Sequence, residues 1–300
     1  MRHFESAKPG TTLAGYTVMA EIGRGAASVI YLVQDPKSKR VWALKQVEKN
    51  EPKDQRFIDQ ALSEAEIGQK IDHPGIRHIE RVIKSRKKLI TLKELFLLME
   101  YVDGISIEKH PPSTFEQAMD VFKQTADALQ AIHDAGYVHA DMKPNNIVLC
   151  ENNEIKIIDL GQACAIGTIK ERIQGTPDYI APEQVHRRQI TPSTDVYNFG
   201  ATMYWVLTHQ HIPTAIPKNN SLVSSLDDSL IEPPTPPTEV NPRIPLRLSD
   251  LIMECCEVDP DDRPRTMRDV LATLESVEDD ITELHSGSTS VSPPSEAESA

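Results

Sequence analysis

The segment "VHADMKPNNIVLC" puts a carboxylate, an ammonium and a carboxamide, Asp141, Lys143 and Asn146, within six residues of one another. The flanking apolar runs are too short for helices, so these groups sit at the mouth of a strand. A second carboxylate, Asp159, follows in "EIKIIDLG". Two carboxylates and a carboxamide flanking a pair of short antiparallel strands can converge on one point. Oxygen donors of this kind suit Mg²⁺, which binds through one or two carboxylates and the phosphates of its nucleotide rather than in an all-protein cage. Upstream, "GRGAASV" supplies Gly23 and Gly25, whose bare backbone can approach phosphate oxygens and offer amide donors. A dinucleotide fold would follow such glycines with a helix, whereas "SVIYLV" is β-branched and strand-like, which indicates a hairpin flap. No G-x-x-x-x-G-K-[ST] occurs, so a P-loop is excluded.

In "VWALK", Lys45 falls on the interior phase of an apolar strand. A buried ammonium needs a partner, because uncompensated burial costs several kcal/mol or neutralises the group. At 100° per residue Glu64 lies within the apolar arc of the next helical segment, with Glu66 at its margin, so Glu64 is the expected partner.

The elements that must position these groups follow from periodicity. Tyr16 to Val47 reads as a meander of three strands separated by Gly-rich and Asp-Pro turn signals. Phe57 to Ile71 has helical spacing, with Phe57, Ile58, Ala61, Leu62 and Ala65 on one face. A strand "ELFLLMEYV" runs to Val102, and Asp103 with Gly104 reads as a turn and a hinge. Ser113 and Glu116 form a capping box ahead of a long amphipathic helix. "NIVLC" and "EIKIIDL" are short strands, and "STDVYNFGATMYWVLT" is a buried helix. Pro213 to Pro245 reads as a long surface loop whose "PPTPP" offers a polyproline docking site as an alternative. A final helical pattern ends near Val277, and the remainder is composed like a disordered tail.

Composition bounds the rest. Thirty-two Lys and Arg against 45 Asp and Glu give a formal charge of −13, which argues against a general nucleic-acid binder. No run approaches the roughly 18 apolar residues of a membrane span, and "MRHFESAKPG" lacks the apolar segment of a secretory signal. The four cysteines show no C-x-x-C spacing, which fits free thiols in a reducing, cytoplasmic location. The basic stretch from Arg81 to Lys93 alternates apolar and charged residues like a solvated hairpin whose charges protect a sheet edge.

Taken together these motifs resemble the serine/threonine class of protein kinases, bacterial members in particular, over about Tyr16 to Leu274. The resemblance implies an α+β, bilobal protein kinase fold: an antiparallel β-sheet N-lobe with one helix and a mainly helical C-lobe. The expected divisions are an extension 1–15, an N-lobe 16–102, a C-lobe 103–277 and a tail 278–300. It implies ATP and Mg²⁺ as cofactors, with Mn²⁺ as an alternative metal, and protein Ser/Thr hydroxyls as acceptors. Ile22, Gly23, Gly25, Ser28 (in place of a third glycine) and Ile30 match the phosphate-covering flap. Lys45 matches the lysine of the α and β phosphates, and Glu64 its helix partner. Met99 matches the gate of the adenine pocket, Glu100 to Val102 the hinge that reads adenine, and Ala43 with Val148 the walls that sandwich the base. Asp141 matches the catalytic aspartate, Lys143 the lysine facing the transferred phosphoryl, and Asn146 and Asp159 the metal ligands. Glu183 of "GTPDYIAPE" would pair with Arg263, and Asp195 would brace the catalytic loop.

Ala140 departs from the family pattern, standing where regulated kinases carry an arginine that clamps a phosphorylated activation segment. The segment from Asp159 to Glu183 offers only two threonines, Thr168 and Thr176, the latter in a structural position. Activity without activation-loop phosphorylation is therefore expected. A pseudokinase serving as a nucleotide-binding scaffold or interaction module is the alternative.

Overall fold

The structure, a computed structural model, describes residues 6–25, 27–87, 91–216, 228 and 231–287. Six antiparallel strands form the first layer: β1 (Thr12–Leu13), β2 (Tyr16–Arg24), β3 (Ser28–Gln34), β4 (Val41–Glu48), β5 (Ile79–Lys87) and β6 (Thr91–Glu100), in the order β1-β2-β3-β4-β6-β5. Their period of two sorts side chains onto opposite faces. One face gathers Tyr16, Val18, Val29, Tyr31, Val33, Trp42, Leu44, Phe96 and Leu98. The other packs Ala43, Val47, Leu95, Leu97 and Met99 against Ile58, Ala61 and Ala65 of helix α1 (Gln55–Lys70).

Below the sheet lies a helical body of α2 (Phe115–Asp134), α3 (Pro182–Val185), α4 (Pro192–Thr208), α5 (Pro237–Val240), α6 (Leu246–Cys255) and α7 (Met267–Gly287). α4 is buried over most of its length, as its nearly continuous apolar sequence requires. Phe122 and Phe199 meet edge to face at 6.2 Å where α2 crosses it. Gly200 lets α6 come close: a Cβ there would lie 2.6 Å from the Cys255 Cβ.

A small sheet bridges the layers, with β7 (Gly104–Ser106), β9 (Ile147–Cys150) and β10 (Ile155–Ile157) in the order β10-β9-β7. β8 (Tyr137–Val138) pairs with β11 (Cys164–Ala165), and β12 (Thr168–Ile169) with β13 (Gln189–Ile190). This is the two-lobed α+β arrangement expected from the sequence.

Several local expectations need correction. The long helix starts one residue late: Thr114 is the N-cap, accepting from the Gln117 N–H at 3.1 Å, while Gln117 Oε1 accepts from the Ser113 N–H at 2.8 Å. β6 ends at Glu100, not Val102, and Gly104 opens a strand instead of a turn. Glycine is needed there because a Cβ would sit 2.6 Å from the Leu149 carbonyl oxygen. α7 continues ten residues past Val277. Val277 is its last buried residue among those whose side chains are described, so the hydrophobic signal stops before the helix does. The Pro-rich segment is not one surface loop: Ala215, Pro237 and Ile244 are buried, and Pro237 opens α5, which breaks the polyproline run. Most of its centre, 217–227 and 229–230, lies outside the described residues, as do the tail 288–300 and the tip 88–90 of the basic hairpin.

Candidate active site

A cleft of about 650 Å³ opens between the six-stranded sheet and β9. Ile22, Gly23, Gly25, Ser28 and Ile30 line its roof, where the β2–β3 turn closes through the Gly25 N–H on the Ser28 carbonyl at 2.8 Å. Ala43 above and Val148 below face each other across it, with Glu100 and Val102 at the connecting edge. Glu100 is fixed there because Lys156 Nζ reaches its carboxylate at 2.9 Å and the His78 N–H donates to it at 3.1 Å. Met99 is fully buried behind this edge and does not line the cleft.

Lys45 and Asp159 line the same cleft. The Lys45 Nζ meets Glu64 Oε2 at 2.6 Å, and Glu64, on the inward arc of α1, is only 1% exposed. The register that pairs Lys45 with Ile30 and Leu97 sends its side chain to the α1 face of the sheet, as the strand phase predicts. Asp159 Oδ1 accepts the Gly161 N–H at 2.8 Å. Burial pushes the Asp159 pKa up, but the Lys45 charge, the Gly161 N–H, Arg77 and His139 outweigh it and hold the carboxyl below its usual range. The Gln60 amide of α1 donates to the Gly161 carbonyl at 2.7 Å, tying the helix to this turn.

Asp141, Lys143 and Asn146 come from the loop between β8 and β9. Lys143 Nζ lies 2.9 Å from Asp141 Oδ2 and 2.7 Å from Thr176 Oγ1, and the Thr176 hydroxyl donates to Asp141 Oδ1 at 2.9 Å. Asn146, which lines the cleft, donates one amide N–H to the Asp141 carbonyl at 2.8 Å, and its side-chain oxygen is the acceptor of the group.

The shape of this loop is dictated from below. Asp195, fully buried in the first turn of α4, accepts the N–H groups of His139 and Ala140 at 2.8 Å each and meets His133 Nε2 at 2.8 Å. Burial would raise the Asp195 pKa, yet His133 and His139 hold it below the ordinary value. Ala140 has φ +59°, a left-handed conformation unusual for alanine. Both of its backbone groups are engaged, the carbonyl accepting from Gln184 at 2.8 Å. Its methyl packs with Val138, Ile190 and partly buried Cys164.

The segment after Asp159 is held by the β8–β11 and β12–β13 ladders. Thr168 donates to the Ala165 carbonyl at 2.6 Å, and Lys170 to the Gln162 carbonyl at 2.6 Å. That bond is partly buried, and desolvation pulls the Lys170 pKa down against Cys164, Asp141 and Asp195. At the far end Glu183 and Arg263 form a buried two-pronged pair, Nη1 to Oε1 at 2.9 Å and Nη2 to Oε2 at 3.1 Å.

The oxygens that Asp159 and Asn146 present are hard donors suited to a small divalent cation. Among the described residues no group of three His, Cys, Asp or Glu is placed to hold a metal.

The structure thus places all the expected positions at the cleft wall except Met99 and Glu64, which lie behind it, and Asp141 and Lys143, which join it through Asn146. Sequence reasoning missed Arg77, a cleft-lining cation, and Gln60. Gln60 precedes Glu64 by one helical turn, which was a readable signal. Arg77 gave none, because a charge after "HPGI" reads as an exposed strand position.

Similarity to known proteins is broad. The chain is 28% identical over 277 residues to a protein of Clostridium acetobutylicum described as a probable serine/threonine-protein kinase, covering 89% of this chain and 41% of that one. It is 28% identical over 292 residues to serine/threonine-protein kinase PknD of Chlamydia pneumoniae, covering 87% and 31%. With serine/threonine-protein kinase PknB of Mycobacterium tuberculosis the identity is 27% over 266 residues, covering 85% and 42%. The chain therefore spans less than half the length of these relatives. The solved kinase domain of Mycobacterium tuberculosis PknI has the same fold, with a TM-score of 0.67 at 24% identity over 90% of this chain and 99% of that one. The family described as Protein kinase domain matches residues 16–273, which takes in β2 to β6, the cleft and most of the helical body, and the chain belongs to that family.

Proposed function

We propose that this chain is an ATP-dependent serine/threonine protein kinase that transfers the γ-phosphoryl of Mg-ATP to protein hydroxyls. The observation that carries the reading is Lys45, closed on Glu64 at 2.6 Å, in the same cleft as Asp159 and Asn146. Phosphoryl transfer has a loose transition state, so the protein's task is to position groups and neutralise charge. Lys45 would hold the α and β phosphates, and the flap from Ile22 to Ile30 would cover them. Ala43 and Val148 would sandwich the base beside the edge formed by Glu100 and Val102, with Met99 behind. Asn146 and Asp159 would hold Mg²⁺, or Mn²⁺ in its place, which neutralises phosphate charge when bound. Asp141 would orient the acceptor hydroxyl and take its proton, a role worth roughly 10² to 10⁴ in rate. Lys143, already 2.9 Å from Asp141, would face the transferred group.

Activity without activation-loop phosphorylation belongs to the same proposal. Ala140 packs among apolar groups and cannot clamp a phosphate, while the segment is anchored by two ladders and by the hydrogen bond from Lys170 to the Gln162 carbonyl. We assign 16–102 to the N-lobe and 103–277 to the C-lobe, and place the protein in the cytoplasm, where ATP is the available phosphoryl donor.

The test is transfer of labelled phosphate from ATP to a generic basic protein, with Lys45→Met and Asp159→Ala as controls. Near-normal transfer by Asp159→Ala would overturn the assignment. Nucleotide binding by the wild type without transfer would favour the scaffold alternative.

A further inference from the structure

Gln184, in the short helix α3, is 3% exposed and carries a carboxamide on which two distant stretches of backbone meet. Its Nε2 donates to the Ala140 carbonyl at 2.8 Å and to the Gln174 carbonyl at 3.2 Å. Its Oε1 accepts the Ala181 N–H at 3.0 Å and the Asn198 amide, from α4, at 3.0 Å. Both hydrogens and both lone pairs are in use, and the orientation is forced, because a flipped amide would set its oxygen against two carbonyls. Asn198 extends the junction by donating to the Tyr179 carbonyl at 2.6 Å. The backbone makes room for it at Gly175, where φ is +137° and a Cβ would lie 3.3 Å from Gln184 Nε2 and 3.1 Å from Ile180 Cγ1.

The two carbonyls belong to stretches that lead into the site. Ala140 is bonded to Asp141, and Gln174 stands two residues before Thr176, whose hydroxyl donates to Asp141 at 2.9 Å. One buried nitrogen therefore fixes the register between Asp141 and the segment that faces it. The bonds of Gln184 and Asn198 join neutral groups throughout, so the junction forms with no phosphate on the segment.

We propose that Gln184 is a positioning residue for phosphoryl transfer: its carboxamide clamps the Asp141 loop to the segment 174–181 and keeps the acceptor side of the site assembled in the unmodified chain. The inference deepens the reading above, on which it rests for its rate readout alone.

The test uses the full chain after phosphatase treatment, in steady-state transfer from ATP to a generic basic protein and in deuterium exchange. Wild type should keep the kcat of the untreated protein. Gln184→Glu retains the accepting oxygen but turns a carboxylate oxygen toward two carbonyls. It should lower kcat roughly 10- to 100-fold, the loss expected when a reacting group is misplaced by about 1 Å. KM for ATP should stay within about twofold of wild type, because Gln184 does not line the nucleotide cleft. Deuterium uptake over 171–181 should rise while α6 and α7 stay at wild-type levels. Gln184→Met, similar in length and without a donor, replaces Gln184→Glu if the latter does not fold. If neither folds, the wild-type Ala181 amide decides: slow exchange is expected, and exchange as fast as in the exposed stretch 171–173 overturns the clamp. Wild-type kcat in a folded variant overturns the inference. So does a KM for ATP that rises as much as kcat falls, uptake raised across α6 and α7 as well, or a wild type silenced by phosphatase. A wild type that binds ADP but transfers no phosphate sinks the kinase reading alone, and uptake over 171–181 still decides Gln184.

Discussion

Replacing Glu183 by Gln should destabilise the protein by about 3 kcal/mol. Arg263 has five N–H donors and all five are used: Nε on the Glu257 carbonyl, Nη1 on Glu183 and the Ser193 carbonyl, Nη2 on Glu183 and the Val258 carbonyl. The guanidinium also lies 4.9 Å from the Tyr197 ring, so it cannot swing away to water. Glu183→Gln removes the only negative charge in this set and turns an NH₂ group toward a donor. Breaking a buried pair from one side costs about 3–5 kcal/mol, and the three remaining carbonyls put this case at the lower end. In a domain of this size that is a fall of about 6–12 °C in Tm. Thermal and urea unfolding at pH 7 read it directly. Glu66→Gln, which breaks an exposed pair with Lys70 one turn apart on α1, should leave the midpoint unchanged. A Glu183→Gln protein within about 1 kcal/mol of wild type would refute the claim that this pair is sealed from solvent.

Thr176→Val removes the hydroxyl that joins Lys143 to Asp141 and should lower kcat about 10- to 100-fold, whereas Thr168→Ala should keep activity within about twofold; steady-state phosphorylation assays separate them. Asp159 and Asp195 both have folded pKa values below their unfolded ones, so each contributes stability that is full above about pH 4–5 and lost as pH falls through the folded value. Unfolding free energy measured by urea should therefore decline steadily below about pH 5, and Asp195→Asn should be less stable at pH 7 with a shallower acid slope. Gly200→Ala should cost about 1–3 kcal/mol in the same assay, because the new methyl would lie 2.6 Å from the Cys255 Cβ and force α4 and α6 apart.

What the sequence disclosed was governed by periodicity and charge. Lys45 and Glu64 were legible as a pair because each sits on the inward phase of its own element, and a buried charge has few alternatives. The helix start was misread by one residue because Ser113 and Thr114 each precede an acid or amide three positions on, so two overlapping capping boxes have equal chemistry. Gly104 was misread because Asp103 and Gly104 carry a turn signal, while the actual requirement, the Leu149 carbonyl from β9, comes from 45 residues away. The left-handed Ala140 was illegible: alanine has no preference for that conformation, and the groups that hold it there, the two oxygens of Asp195 on α4 and the Gln184 amide, come from far along the chain. Arg77 was hidden for the opposite reason, since it looks like a surface charge until the layers close over it.

The guanidinium of Arg77 bears on inhibitor chemistry. A compound that extends from the base pocket toward α1 would meet a cation beside Glu64, not an empty oily recess. An aromatic wedge there would bury polar groups without satisfying them. An acidic or carbonyl-bearing tail would instead find a donor waiting, which gives a handle for discriminating this cleft from those with an apolar rear wall.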